Sequence, residues 1–306
     1  MIDHIHTNGK LLLTGEYFIL SGAVGLAVPC HFGQTFKFDA LVSTPYFTWK
    51  SYDHEGGIWF TGFFDREQGQ YIKGSDQAVG QRLQEIFQSC FQLNATWEGL
   101  QQNEGVHSSL SFPRDWGLGS SSTLLAAIAL WAEVDPYQLL QQTFGGSGYD
   151  LACALSSKPL LYQIHHGRGE SVQVPYQPAF AENLYFIHLG KKQNSREGIQ
   201  QYRKLGMPSP KLIEQISQLS LEWLNAKTLS ELEPIILAHE QLVSGLLNLP
   251  RAQELYFSDF WGTIKSLGAW GGDFVLATSK RPEGETKAFF REKGFSKILT
   301  YQEMVL

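Results

Sequence analysis

Cysteine is scarce in this chain, which has three cysteines among 306 residues. Cys30, Cys90 and Cys153 lie far apart and form no C-x-x-C pair. The sequence therefore predicts neither a disulfide framework, which needs several cysteines, nor a zinc site, whose ligands usually come in closely spaced pairs. We expect the three side chains to be buried thiols.

Runs of basic residues are also missing, and no uninterrupted apolar segment is long enough to span a membrane. The formal net charge is -6, and no cluster of lysine or arginine suggests a surface for nucleic acid. The apolar stretch 17–36 is interrupted by glycines and a proline, and the first six residues have no signal-peptide pattern. With an apolar fraction of 43%, which is enough for proper hydrophobic cores, we expect a cytoplasmic globular protein that binds neither nucleic acid nor membrane.

The segment Pro113–Thr123 is rich in glycine and serine but has no lysine after Gly119. It is therefore not the G-x-x-x-x-G-K-[ST] loop of P-loop NTPases. Two glycines, a serine cluster and an apolar run suit a turn that opens a helix, where free backbone N–H groups and the helix dipole favour an anion. An ordinary serine-capped helix explains the same residues. Both interpretations, a phosphate cradle and a helix cap, stay open on these residues alone.

The remaining patterns predict an α+β protein with a β-rich first half and a helix-rich second half. In the first half, alternating apolar residues indicate strands near 35–38, 46–50 and 58–64, and the stripe in 76–92 indicates an amphipathic helix. In the second half we expect a strand over 184–189. The helices predicted there are Ser195–Lys204, Ser209–Asn225, Ser230–Asn248, Arg251–Leu267 and Glu283–Lys293.

Four segments, in this order along the chain, resemble the motifs of the GHMP kinases. Gly9–Tyr17 resembles G-K-x-x-x-x-G-E-[HY], and Pro113–Ser121 matches the loop P-x-x-x-G-L-G-S-S. Gly146–Asp150 resembles G-S-G-[FY]-D, and Gly268–Asp273 resembles the third glycine motif of the family. The resemblance spans almost the whole chain.

The resemblance implies a two-domain GHMP-kinase-like fold. Its N-terminal domain, 1–178, would be a mixed β/α ATP-binding domain of the ribosomal protein S5 domain 2-like kind. Its C-terminal domain, 179–306, would be helix-rich and ferredoxin-like, with the active site in the cleft between the two.

The resemblance further implies a small-molecule kinase that uses ATP and Mg²⁺. Asp150 would act as the catalytic base toward the acceptor hydroxyl, or orient that hydroxyl. Lys10 would pair with Asp150 and with the transferred phosphoryl group. The residues that the resemblance assigns to the ATP phosphates are Gly117, Leu118, Gly119, Ser120, Ser121 and Ser122. Ser121 would also provide the hydroxyl that binds Mg²⁺.

The acceptor is less strongly indicated than the family. The forms of Gly9–Tyr17, Gly146–Asp150 and Gly268–Asp273 resemble the phosphomevalonate-kinase branch. Mevalonate is the alternative acceptor. The residues assigned to this small-molecule substrate are Glu16, Tyr17, Ser147, Ser195, Arg196, Gly271, Gly272 and Asp273. For Glu16, a role in capping the turn is an equal alternative. A homodimer is left open.

Two departures from the family favour a second hypothesis. Mevalonate kinases carry a glutamate that binds magnesium about a dozen residues before the acidic residue, but this chain has only glutamine and leucine at 138–142. Trp270 replaces a small residue, usually glycine, in the last motif. The alternative to an enzyme is therefore a non-catalytic sensor of the same fold that binds a nucleotide or metabolite.

Overall fold

A computed structural model of the chain describes residues 3–41, 44–191, 195–268, 270 and 272–306. The strands are β1 His4–Leu12, β2 Gly25–Ala40, β3 Phe47–Tyr52, β4 Ile58–Phe64, β5 Tyr71–Gly74, β6 Asn103–Leu110, β7 Leu160–His165, β8 Arg168–Gln173, β9 Leu184–His188, β10 Ile264–Ser266, β11 Phe274–Thr278 and β12 Ile298–Thr300. The helices are α1 Gln77–Leu93, α2 Gly99–Gln102, α3 Ser120–Trp131, α4 Pro136–Thr143, α5 Tyr149–Ala154, α6 Ser195–Lys204, α7 Pro210–Asn225, α8 Leu229–Leu247, α9 Ala252–Tyr256, α10 Glu283–Glu292 and α11 Tyr301–Met304. The predicted α+β class is confirmed.

The structure forms two compact units, and neither is one continuous piece of chain. The first unit comprises Met1–Gly9, Phe32–Arg114 and Leu118–Leu155. The second unit comprises Lys10–His31, Asp115–Gly117 and Ser156–Leu306. The domains predicted as 1–178 and 179–306 stay a prediction.

The first unit is built on a sheet in the strand order β5-β4-β3-β6-β2. β3 and β6 are parallel, and the other neighbours in this order are antiparallel. Side chains alternate along the strands, so that Phe47 and Trp49 are buried while Thr48 and Lys50 between them are partly exposed. Such alternation places the apolar side chains on one face of the sheet, and the helices cover that face. The aromatic side chains join the apolar residues of α1, α3, α4 and α5 in one core.

The second unit contains a smaller antiparallel sheet in the order β10-β11-β9-β12. Its β9 and β11 are buried along their whole length, as expected for strands covered on both faces. The same unit contains α6 to α11 and the hairpin formed by β7 and β8, of which β7 pairs with Gly25–Ala27 of β2. In the described part of the chain, no helix combines the length and apolar character needed to cross a bilayer.

The predicted helices at α6, α7, α8 and α10 are confirmed within two residues at each end. The helix predicted over Arg251–Leu267 is wrong, because only Ala252–Tyr256 is helical and Ile264–Ser266 is a strand. The physical reason lies at Gly262, where a side-chain carbon would overlap the carbonyl oxygen of Thr278 in β11. The chain here comes close to a neighbouring strand, which a helix with side chains on every face could not do.

Candidate active site

The segment after Gly117 forms a turn that leads directly into α3. Gly119 is the residue before the helix, and its φ of 90° lies in the left-handed region that favours glycine. The first helical hydrogen bond runs from the Thr123 N–H to the Gly119 carbonyl. The N–H groups of the three serines before Thr123 therefore have no helical acceptor. Glycine has no side chain to bond them, so the turn presents backbone donors at the positive end of a helix dipole.

The serine hydroxyls at this turn differ in their surroundings. Ser122 is buried and donates to the Gly119 carbonyl at 2.7 Å. Thr123, also buried, donates to Gln34 Oε1 at 2.7 Å, which fixes the start of α3 to β2. Ser121 is exposed. Among the serine hydroxyls at 120–122, that of Ser121 is therefore the most accessible to a metal ion bound with a nucleotide.

Asp150 lies in the first turn of α5, after a turn that only glycines can make easily. Gly145, Gly146 and Gly148 all have positive φ, of 63°, 111° and 85°. The Leu151 N–H donates to Asp150 Oδ1 at 3.0 Å, which orients the carboxylate. Because α5 packs against α3 in the same unit, the sequence-predicted base and phosphate turn belong to neighbouring helices. Ser147 is partly buried in the glycine turn.

The first motif is built closely against this region through Gly9. A side-chain carbon at Gly9 would lie 2.8 Å from the Phe32 carbonyl oxygen and 3.1 Å from that of Leu118. Contacts this short exclude any residue other than glycine. The glycine that opens the first motif is thus required by the approach of β1 to the predicted phosphate loop.

In the second unit, Lys10 and Asp273 both contact Gly117, the first residue of the predicted phosphate loop. Lys10 Nζ donates to the Gly117 carbonyl at 2.8 Å. Gly117 has a φ of 68°, and a side-chain carbon there would overlap the Asp273 carboxylate. Asp273 itself has a φ of 53°, and its N–H donates to the Lys191 carbonyl at 2.7 Å. The pairing of Lys10 with Asp150 stays a prediction.

Tyr17 has a strained backbone and a closely packed ring. Its φ of 61° is unusual for any residue other than glycine. The ring stacks on Tyr202 of α6 at 5.6 Å between centroids, and the Tyr202 hydroxyl lies 2.7 Å from Ser21 Oγ. A side-chain carbon at Gly198 would overlap the Tyr17 phenol oxygen. The surroundings therefore fix both the backbone and the ring.

The electrostatics of this position keep the phenol protonated. Burial raises the pKa of Tyr17 above its ordinary value, and the hydrogen bond with the Trp270 backbone opposes that rise. The carboxylates of Glu16 and Asp273 raise the pKa further. A phenol that keeps its proton remains a hydrogen-bond donor.

Glu16 is fully buried in an ionic cluster that the sequence analysis did not find. Its carboxylate binds the Lys265 ammonium, and its second oxygen lies 3.3 Å from His239 Nε2. The Gly15 N–H donates to the same His239 nitrogen at 3.0 Å. Lys265 Nζ lies 3.9 Å from Glu240 Oε1. The roles in substrate binding or turn capping stay predictions for Glu16, whose observed partners are protein groups.

Comparison with known proteins connects this arrangement to a fold. No family model matches the sequence, and no curated protein matches it. Among solved structures, mevalonate kinase from Methanococcus jannaschii has a TM-score of 0.71 at 13% identity, covering 97% of this chain and 96% of that one. Phosphomevalonate kinase from Streptococcus pneumoniae, in complex with phosphomevalonate and AMPPNP, has a TM-score of 0.69 at 17% identity, covering 98% and 100%. Galactokinase from Lactococcus lactis, complexed with galactose, has a TM-score of 0.64 at 13% identity, covering 95% and 88%.

The chain has the GHMP-kinase fold. The resemblance stated from its motifs is thereby confirmed at the level of the fold.

The remaining site residues predicted for the GHMP-kinase fold are described only in part. Ser195 and Arg196 form the start of α6. Gly272 is buried and directly precedes Asp273. Gly271 lies outside the described residues.

Trp270, the departure from the GHMP motif, is 4% exposed. Its indole packs in an apolar cluster with Phe18, Ile216 and Val243. The side chain therefore fills a hydrophobic core of the second unit.

The sequence analysis missed Lys265, His239 and Glu240, all of which are essentially inaccessible to solvent. One signal was available, because each residue lies in a stretch whose other residues are mostly apolar. Lys265 lies in 260–267, and His239 and Glu240 lie in 232–247. Buried charged residues are rare and almost always paired. The partner, however, is not visible from the spacing, since Glu16 and Lys265 are 249 residues apart.

Proposed function

We propose that the protein is an ATP-dependent small-molecule kinase that transfers the γ-phosphoryl group of ATP to an isoprenoid precursor, phosphomevalonate or mevalonate. The observation that carries the proposal is the start of α3. There Gly119 adopts a left-handed conformation, and the serine N–H groups after it have no helical acceptor. A helix that opens in this way binds phosphate through backbone donors and its dipole.

The chain's own residues would supply the contacts to a triphosphate. The N–H groups of Ser120, Ser121 and Ser122 would donate to phosphate oxygens, and Lys10, near the preceding Gly117, would add a positive charge. In the described part of the chain, no group of three or more His, Cys, Asp or Glu side chains is arranged to hold a metal ion. Magnesium needs fewer protein ligands, because phosphates and waters supply the rest. The exposed Ser121 hydroxyl fits such a site, where the ion would neutralise phosphate charge.

Asp150 is proposed to accept the proton of an acceptor hydroxyl, or to orient that hydroxyl. Its position on a short helix that packs against α3 supports this role, because phosphoryl transfer depends mainly on placing the acceptor in line with the γ-phosphate. Lys10 would stabilise the charge that develops on the transferred group.

The acceptor is proposed from the second unit and from the similar structures. The protonated Tyr17 phenol and the polar groups around Asp273 would bind an oxygen-rich small molecule. Phosphomevalonate is bound in the similar Streptococcus pneumoniae structure, and R-mevalonate in an L. major mevalonate kinase with a TM-score of 0.66. The forms of the motifs favour phosphomevalonate.

An ATP-consumption assay with phosphomevalonate, mevalonate, galactose and homoserine tests the proposal. We expect turnover with one of the first two. The Asp150→Asn variant should lose kcat by about 10²–10⁴-fold, with ATP affinity nearly unchanged. Asp135→Asn is the matched control, because Asp135 caps α4 in the same unit and asparagine caps equally well.

The outcomes separate the two hypotheses of function. An active Asp150→Asn variant would show that the assignment of the base is wrong. ATP binding without turnover of any acceptor would instead favour the sensor, for which the absence of an acidic residue at 138–142 is the specific observation.

A further inference from the structure

The buried cluster around Lys265 joins three segments that are distant in sequence. Glu16 belongs to the turn after β1, Lys265 to β10, and Glu240 to α8. The Lys265 ammonium also donates to the Ser266 carbonyl at 2.9 Å. Glu240 accepts from the Ser266 N–H at 3.1 Å and from its hydroxyl at 3.2 Å. The cluster therefore ties the first motif to the strand that leads into the last motif.

A second set of hydrogen bonds holds the same turn from its other side. The Thr14 hydroxyl donates to Ser220 Oγ at 2.7 Å and accepts from the Leu26 N–H at 2.9 Å. Ser220 Oγ in turn donates to the Val24 carbonyl at 2.7 Å. The turn is thus fixed at Thr14 by neutral groups and at Glu16 by an ion pair.

The charges in the cluster do not balance unless a proton is held there. Two carboxylates and one ammonium give a net charge of -1 if both carboxylates are ionised, and His239 stays neutral because burial holds its pKa well below the ordinary value. A buried net charge is strongly unfavourable. Burial raises the pKa of Glu240 to about 7 and also raises that of Glu16. The ammonium binds Glu16 directly and lies 3.9 Å from Glu240 Oε1, so Lys265 pairs mainly with Glu16.

This pairing acts directly on the residue after Glu16. Tyr17 has its φ of 61° in the left-handed region, which is unfavourable for a tyrosine and persists only when the surroundings impose it. The Phe18 N–H donates to the Glu16 carbonyl, and the Ile19 N–H donates to that of Gly15, at 2.7 and 3.0 Å. Fixing the Glu16 side chain therefore fixes the turn in which Tyr17 is strained.

We propose that Lys265 is a positioning residue of the acceptor site, because its ammonium anchors Glu16 and thereby holds Tyr17 in its strained conformation. Glu240 supports Lys265 from α8. The role in acceptor binding rests on the proposed function, since it requires Tyr17 to contact the acceptor. The effect of Lys265 on the conformation of the turn does not depend on the proposed function.

The test is the double variant Lys265→Met/Glu16→Gln, which removes the ion pair without leaving either partner as an unpaired charge. Hydrogen exchange of the Phe18 and Ile19 amides should become about tenfold faster or more, because the turn loses its anchor. With the acceptor found by the ATP-consumption assay, KM for the acceptor should rise about tenfold, while ATP affinity stays the same. A residue that served only global stability would not separate the two substrates in this way.

The matched control is Glu233→Gln on α8, the helix that also carries Glu240; Glu233 accepts from the Thr278 hydroxyl at 2.8 Å. It should leave both measurements unchanged. If the double variant keeps its exchange protection, or loses it without a change in acceptor KM, the proposal is wrong. If the wild-type protein turns over no acceptor, the proposed function fails, and the exchange measurement alone decides whether Lys265 holds the turn.

Discussion

Replacing Glu240 by glutamine should make the stability of the protein less sensitive to pH. The pKa of Glu240 rises from 4.5 to about 7, first because burial penalises the carboxylate, while Lys265 opposes the rise and Glu16 adds to it. Since a tenfold change in an acid constant is worth about 1.4 kcal/mol, this shift corresponds to a free energy of about 3 kcal/mol. That energy is the difference between burying the acid and burying its anion.

The sign follows from the number of protons bound. Between about pH 4.5 and 7 the folded protein binds more protons at Glu240 than the unfolded chain does, so its stability falls as the pH rises. The contribution is fully present below about pH 4.5 and is lost once the pH has passed about 7. Glutamine resembles the protonated acid at every pH, so the Glu240→Gln variant does not lose this contribution.

Chemical denaturation of both proteins at about pH 5 and about pH 8 measures this effect. We expect the free energy of unfolding of the variant minus that of the wild type to increase by up to about 3 kcal/mol from about pH 5 to about pH 8, so that the variant becomes relatively more stable. The lowered pKa of His239 acts in the opposite direction, but it is present in both proteins and cancels in the difference. An equal stability difference at the two pH values would show that Glu240 is ionised throughout, and the charge count in the cluster would then be wrong.

Three further predictions concern single residues of the motifs, and the first has a control variant. Gly117→Ala should destabilise the fold by about 1–3 kcal/mol and weaken ATP binding, because it adds backbone strain and displaces Asp273. Gly145→Ala, with a similar φ but open space around it, should cost only about 1 kcal/mol when unfolding is measured in the same way. Equal losses in the two variants would show that the contact of Gly117 with Asp273 is unimportant. Trp270→Ala should cost about 3–5 kcal/mol in thermal unfolding through the cavity it leaves, whereas a small loss would mean the indole is not core. Ser121→Ala should weaken ATP binding in calorimetry with Mg²⁺ present and leave metal-free binding unchanged; equal losses would remove Ser121 as a ligand.

Much of the architecture could be predicted because it depends on local patterns. The apolar stripe of α1 and the long apolar run of α3 predict helices, since helical periodicity is visible within one segment. The glycines before α3 and α5 predict turns for a similar reason, and the positive φ angles at Gly119 and Gly148 agree with that interpretation.

The failures have a common cause in long-range contacts. The segment 251–267 contains enough apolar residues for a helix, but its end pairs with β11 as a strand, next to the close approach of Gly262 to the same strand. Likewise, the Lys265 cluster depends on partners far away in the chain, so no spacing rule could find it. What decided these positions was tertiary packing, which overrides local preference when the two differ.

The interleaving of the two units has a consequence for folding. The chain passes from one unit to the other at Gly9–Lys10, His31–Phe32, Arg114–Asp115, Gly117–Leu118 and Leu155–Ser156. Both units therefore need residues from the first part of the chain and residues beyond 117, so no single cut yields a complete copy of either. Contacts between segments so distant in sequence impose a large entropic cost of loop closure before they stabilise anything, and such topologies fold slowly. During synthesis, neither unit can be completed until more than half of the chain has emerged.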